Sequence, residues 1–147
     1  FKAEIKKEAS GTAAPSFNYR DDKGVTFSTE ELKGKVVFIN FWATWCPPCV
    51  AEMPSLNALY NQLKDDNRFV FLFMNEDEDA EKAKKYLQRN QYSFPPVFTA
   101  GNIPAEIYSG TLPTTIVLNK EGKIVFKKEG IADYDNQKFV KGLKKLL

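Results

Sequence analysis

Histidine is missing from this chain of 147 residues. That excludes a His general base, a Cys/His dyad and any metal site built on imidazole. Cysteine is nearly missing too: there are two, Cys46 and Cys49. Charge of one sign is not in excess. Twenty-one basic and nineteen acidic residues leave a formal net charge of +2, too little for the basic stripe of a nucleic-acid binder. Long apolar runs are absent as well. No stretch approaches the roughly 18–20 residues that cross a bilayer, and no signal-peptide pattern is present. The chain starts at Phe1 and not at a methionine, which leaves room for a signal or anchor upstream.

Apolar residues, by contrast, are sufficient. They make up 43% of the chain, and aromatics 14%, enough for one core in a chain of single-domain length. Residues 1–14 read as an N-terminal extension, either a tether or a weak edge segment, and 15–147 as one domain. Short strands are expected at 16–20 and 25–28 around the turn signal "DDKG". Ser28 and Glu31 form a capping-box pattern before Gly34, which predicts a single helical turn. "KVVFINF" (35–41) reads as a buried central strand. A helix follows from about Cys46 to Lys64, with Pro54 inside it as a kink. "FVFLFM" (69–74) is a second buried strand. The segment 78–90 is a charged helix with Ala80, Ala83 and Leu87 inward. Residues 93–110 are broken by Pro and Gly, with a short strand near Val97. "TTIVLN" and "KIVFKK" form a hairpin around "KEG". The last helix is expected over 135–147, capped by Asp133 or Asp135. This order predicts an α/β fold with a mixed sheet and helices on both faces.

The two cysteines stand three apart in "FWATWCPPCVAEMP". At that spacing on a helix a disulfide can close between them. The loop it closes is tiny, which makes it a poor staple. Two thiols without histidine fall short of the four ligands of structural zinc. A Cu(I) site on two thiolates remains as a non-enzymatic alternative. The redox reading fits best. Cys46 falls at a helix N-terminus, where free N–H groups and the helix dipole favour a thiolate. It reads as the exposed nucleophile, with Cys49 one turn inward as the resolving thiol. Pro47 suits the first helical turn. Pro47 and Pro48 both lack the N–H that would stabilise the thiolate, which points to a moderately reducing couple.

"GKVVFINFWATWCPPCVAEMP", with "APSFNYRDDKG" and "LPTTIVLNKEGKIVFKKEG", resembles the TlpA/ResA-like thiol–disulfide oxidoreductases of the thioredoxin superfamily. The resemblance covers roughly residues 14–147. It implies a thioredoxin-like fold: a central mixed β-sheet flanked by helices, with an N-terminal β-hairpin extension and an extra β/α insertion. It implies that Pro113 follows a cis bond, and that Leu112 offers its backbone to a substrate strand. Trp45 would support the active site, together with Pro47 and Pro48, while Trp42 packs in the core. In cytoplasmic thioredoxins a buried Asp stands six residues before the first cysteine. Here that residue is Asn40, which cannot take a proton from Cys49. Glu52, one turn beyond Cys49, occupies the position of a functional acid in the TlpA/ResA-like proteins. Partial burial would raise its pKa and let it shuttle a proton.

The implied activity is reduction of disulfides in extracytoplasmic partner proteins, with cytochrome c biogenesis as one task and general disulfide repair as another. The implied location is the periplasm or cell envelope, with any anchor in a segment outside this chain. The expected partners are protein disulfide substrates and an upstream thiol reductant or membrane electron donor, but no nucleic acid. We expect a monomer, with no cofactor beyond the disulfide itself and no metal. A peroxidase of the same fold is a rival, but it wants Thr three residues before its reactive Cys, and Ala43 stands there. The acidic run "EDEDAE" (76–81) lacks the Gly of a calcium loop, because Lys82 occupies that place. It reads as a solvated helix start. In the basic tail "KGLKKLL", Leu143, Leu146 and Leu147 read as packed on the sheet.

Overall fold

The computed structural model describes residues 1–6 and 11–147. Eight strands among them form one mixed sheet. They are β1 (Thr12–Ala13), β2 (Asn18–Arg20), β3 (Thr26–Ser28), β4 (Val36–Trp42), β5 (Phe69–Asn75), β6 (Pro96–Thr99), β7 (Thr114–Leu118) and β8 (Lys123–Glu129). The helices are α1 (Pro47–Leu63), α2 (Ala80–Arg89) and α3 (Gln137–Lys145), with a 3-10 turn at Thr29–Leu32. The strand order is β1-β8-β7-β4-β5-β6-β2-β3. β4 runs parallel to β5 and antiparallel to β7.

β4 lies inside the sheet with all seven residues buried. Its β-branched and aromatic side chains suit a strand covered on both faces. Alternation divides them. Val36, Phe38 and Trp42 join one core cluster, and Val37, Ile39 and Phe41 the other. α1 lays Cys49, Met53, Leu56, Leu59 and Leu63 on the first face. Ala83 and Leu87 of α2 and Phe139 and Leu143 of α3 join the same cluster.

The three α-helices therefore share one face, and the expectation of helices on both faces is corrected. The second face is covered by Phe17, by Leu32 of the 3-10 turn, and by Ile103, Ile107 and Tyr108 of the β6–β7 connection. The physical reason is chain direction. Successive right-handed crossovers β4-α1-β5 and β5-α2-β6 move the same way across the sheet, so both helices fall on one side. The return from β6 to β7 must then pass beneath β4 and β5. Tyr108 stacks on Phe41 there at 4.4 Å between ring centroids.

One further detail differs from expectation. α3 is capped by Asn136, whose Oδ1 accepts from Phe139 N–H at 2.9 Å, not by Asp133 or Asp135. Asp133 Oδ1 instead accepts from Asp135 N–H within the preceding turn. Of the 1–14 segment, the described residues are held to the body of the protein. Ala3 N–H donates to the Asp133 carbonyl at 2.9 Å, Ala3 is buried, and β1 pairs with β8. The 3-10 turn begins at Ser28, whose hydroxyl accepts from Glu30 N–H. Asp79 caps α2 through Glu81 N–H.

Candidate active site

The site stands at the C-terminal end of β4. There the chain leaves the sheet at Trp42 and enters α1 five residues later. Trp42 is fully buried, tilted on Tyr86 at 5.7 Å and edge-on to Phe94 at 6.5 Å. That packing anchors the start of the loop. Cys46 is the N-cap of α1, with extended backbone, and its Sγ accepts from Cys49 N–H at 3.3 Å. Pro47 and Pro48 occupy the first two helical positions, where no intrahelical partner awaits an N–H.

Cys46 and Cys49 are joined by a disulfide, with Cα atoms 5.3 Å apart. Cys49 is fully buried and Cys46 is 4% exposed. Cys46 is the more accessible of the pair, but it is not the exposed residue expected from its place at a helix end. Its sulfur is turned back onto the first turn by the bond to Cys49 and by the Cys49 amide. Trp45 instead provides the exposed surface, at 65%, beside the exposed Pro47 and Pro48.

Strand register brings a distant segment to the same place. Thr114 of β7 pairs with Phe41 of β4, so the preceding Pro113 lies level with the exit of the chain toward Cys46. The Leu112–Pro113 bond is cis. The Pro113 carbonyl accepts from Gly130 N–H at 2.8 Å. Among the described residues, the Leu112 amide and carbonyl have no hydrogen-bond partner.

Beneath the disulfide lies a buried polar group centred on Glu52, which is 1% exposed. Its Oε2 accepts from Ala132 N–H at 2.9 Å, and its Oε1 from Asn40 Nδ2 at 3.3 Å. Asn40 also donates to Thr115 Oγ1 at 2.9 Å. Burial pushes the Glu52 carboxyl up to about 7, against the lowering effect of the Ala132 and Asn40 hydrogen bonds. Withdrawal from water penalises the ionised form more than two donors restore. The carboxyl can therefore gain or lose a proton near neutral pH, one helical turn from Cys49 on the same buried face.

Several members of the site had no sequence-level role. Thr115 and Ala132 reach Glu52 only through folding. Asp77 accepts from both the amide and the hydroxyl of Thr44, two residues before Cys46. An Asp just beyond a predicted strand and a Thr before the cysteines were the available signals, but nothing in the sequence pairs them. No group of three or more His, Cys, Asp or Glu side chains among the described residues could hold a metal ion. Among the same residues, no helix is long and apolar enough to cross a membrane.

A mixed sheet with a disulfide-forming pair of cysteines at the N-terminus of the helix that follows its central strand defines a dithiol–disulfide exchange protein with the thioredoxin-like fold. The Redoxin family model matches residues 9–143. The thiol-disulfide oxidoreductase ResA of Bacillus cereus is 37% identical over 128 residues, which cover 86% of this chain and 73% of that protein. Among solved structures, a thiol:disulfide interchange protein from Bacteroides sp. superposes with a TM-score of 0.74 at 31% identity, over 93% of each chain. The pneumococcal exposed lipoprotein thioredoxin Etrx1 of Streptococcus pneumoniae gives 0.69 at 25% identity, over 89% of this chain and 99% of that one. The chain belongs to the Redoxin family, among the ResA-like thiol–disulfide oxidoreductases of the thioredoxin superfamily. It is an enzyme of protein thiol–disulfide exchange, and the Cys46–Cys49 pair is its redox centre.

Proposed function

We propose that the enzyme works in the reducing direction on disulfides of extracytoplasmic proteins. The observation that carries this reading is the poor solvation of the Cys46 sulfur. Cys49 N–H is its one hydrogen-bond donor among the described residues, because Pro47 and Pro48 have none to give. Strong oxidants stabilise their reduced thiolate; a couple without that stabilisation holds its electrons less firmly and passes them on.

In the cycle, the Cys46 thiolate attacks one sulfur of the partner's disulfide and expels the other as a thiolate. Cys49 gives its proton to the Glu52 carboxylate, and the Cys49 sulfur attacks Cys46 Sγ. The mixed disulfide breaks, the partner leaves with both sulfurs reduced, and the enzyme keeps the disulfide. Two electrons have moved from the enzyme to the partner. An upstream thiol reductant, or a membrane electron donor, restores the dithiol. The free Leu112 backbone pairs with the substrate segment beside the disulfide, and exposed Trp45, Pro47 and Pro48 provide the contact surface.

Support for the location comes from the chemistry of the substrate, since protein disulfides persist in oxidising compartments. Likeness to an exposed lipoprotein thioredoxin points the same way. The C-x-x-C-H pair of a cytochrome c apoprotein is one substrate the resemblance implies, and general repair is the other. A peroxidase role is disfavoured, because Ala43 has no hydroxyl and that of Thr44 is donated to Asp77.

The test combines a potential with a trap. Equilibration with glutathione should give a potential well below the −120 mV or so of a strong oxidant; a value at that end overturns the direction. Cys49→Ala should hold the partner on Cys46 as a mixed disulfide for identification. Capture of cytoplasmic proteins alone, from cells with the enzyme in its own compartment, would sink the location.

A further inference from the structure

The loop that delivers Cys46 is tied to the sheet by a single carboxylate. Thr44 N–H donates to Asp77 Oδ2 at 2.9 Å, and Thr44 Oγ1 donates to Asp77 Oδ1 at 2.7 Å. Asn75 Nδ2 donates to Asp77 Oδ2 at 2.7 Å, and Asp77 N–H returns a bond to Asn75 Oδ1 at 3.0 Å. Glu76 N–H adds a bond to the Trp42 carbonyl at 2.8 Å. Three donors converge on one carboxylate, and both of its oxygens are engaged with the residue two before Cys46. Two consecutive residues cannot put Thr44 more than about 7 Å of chain from Cys46. The carboxylate is thus bonded to the loop that leads into the N-terminus of α1, where the helix dipole and free amides would otherwise favour negative charge on sulfur.

We propose that Asp77 is a positioning residue of the redox site: it fixes the Trp45–Cys46 approach and places a carboxylate where it disfavours the Cys46 thiolate. A second anion near a developing anion raises its energy, and a partly buried pair is screened less than a surface one. The effect adds to that of the two prolines and acts in the same direction, toward a couple that gives up electrons. The cleft around Asp77 also holds Asp21, Asp22, Glu76 and Glu78, against the cations Arg20 and Lys84. From α1 comes the buried Glu52, one turn after Cys49, and from the end of β8 come Lys128 and Glu129, level with Thr115 and Thr114. The cleft is acidic on balance, and Asp77 is the acid in it that is bonded to the loop of Cys46.

This inference rests on Cys46 being the attacking thiol, so the two are tested separately. Brief alkylation of the reduced enzyme, with the modified residue located by mass, checks the nucleophile. First modification at Cys49 would overturn that assignment and this proposal with it. With Cys46 modified first, its acid dissociation constant is measured from thiolate absorbance in a Cys49→Ser background. Asp77→Asn removes the charge and keeps one oxygen for Thr44. It should raise the constant roughly three- to tenfold, and less in high salt. Thr44→Val breaks the hydroxyl bond but keeps the charge, and should change the constant less than twofold. A merely structural role predicts lost stability in both variants and an unchanged thiolate titration in Asp77→Asn; that result overturns the proposal. If Asp77→Asn does not fold, Asp77→Ser carries the same expectation and the same refutation.

Discussion

Asn40, six residues before Cys46, donates its side-chain amide to Glu52 Oε1 at 3.3 Å inside the core. An amide can hold a carboxylate but cannot take its proton. In the proposed cycle the proton-accepting task falls to Glu52, and this bond holds its carboxyl.

Glu52→Gln should therefore slow resolution of the mixed disulfide by on the order of a hundredfold. It should also erase the limb of the pH–rate profile near 7, the value set by burial of the carboxyl. The fold should survive. Gln keeps an oxygen for Ala132 N–H, and Asn40 Oδ1, which has no partner among the described residues, can turn to accept from the new amide. Stopped-flow kinetics of disulfide reduction between pH 5 and 9 read this directly. An unchanged profile removes Glu52 from the mechanism.

The same carboxyl makes stability depend on pH. Its folded pKa is raised from 4.5 to about 7, so the folded state keeps a proton that the unfolded chain has already lost. Stability is then highest below pH 4.5 as far as this group is concerned. It falls as pH rises through the window to about 7, by about 3 kcal/mol at most. Glu76, also raised by burial, acts with the same sign. Denaturant unfolding of the oxidised protein at pH 5 and pH 8 should show wild type losing stability and Glu52→Gln losing distinctly less. Equal losses would mean that the carboxyl is not desolvated in solution.

Asn136 joins two parts of the fold. It caps α3, and its Nδ2 donates to the Ala3 carbonyl at 3.1 Å. Asn136→Ala should cost about 1–2 kcal/mol. Asn136→Asp keeps the cap oxygen and should recover part of that. The redox equilibrium should not move in either variant, because Asn136 bonds to Ala3, Asp133 and Phe139 and to no residue of the disulfide loop. Chemical denaturation and glutathione equilibration separate the two effects.

Legibility followed sequence distance. "KVVFINF" announces a buried strand and "CPPC" a helix start, since each signal is complete within a few residues. The Glu52 environment is not local. Its donors include Ala132, eighty residues away, and Asn40 is linked to Thr115 across seventy-five. The β4–β7 register brings Asn40 to Thr115, and the turn after β8 brings Ala132 to Glu52. The covering of the second face was hidden for another reason: residues 100–112 carry no period, and their apolar side chains pack from irregular chain. Three of the four residues 133–136 are Asp or Asn, each able to cap a helix, and propensity alone could not choose Asn136.

The prolines of the active site make the last prediction. Pro48 is the second residue of α1, and an N-cap side chain normally accepts from the second or third helical amide. Here the third, Cys49 N–H, is the donor, at 3.3 Å. Pro48→Ala supplies the missing second donor without changing charge. The reduced Cys46 thiolate gains a hydrogen bond that the disulfide uses less well, so its pKa should fall and the potential should rise. One such bond is worth about a tenfold change in equilibrium constant, or about 30 mV. Pro47→Ala should do less, because the first helical amide points past the cap. Equilibration of both variants with glutathione measures the difference. Equal potentials for wild type and Pro48→Ala would show that amide donation at this helix end does not set the reducing character of the couple.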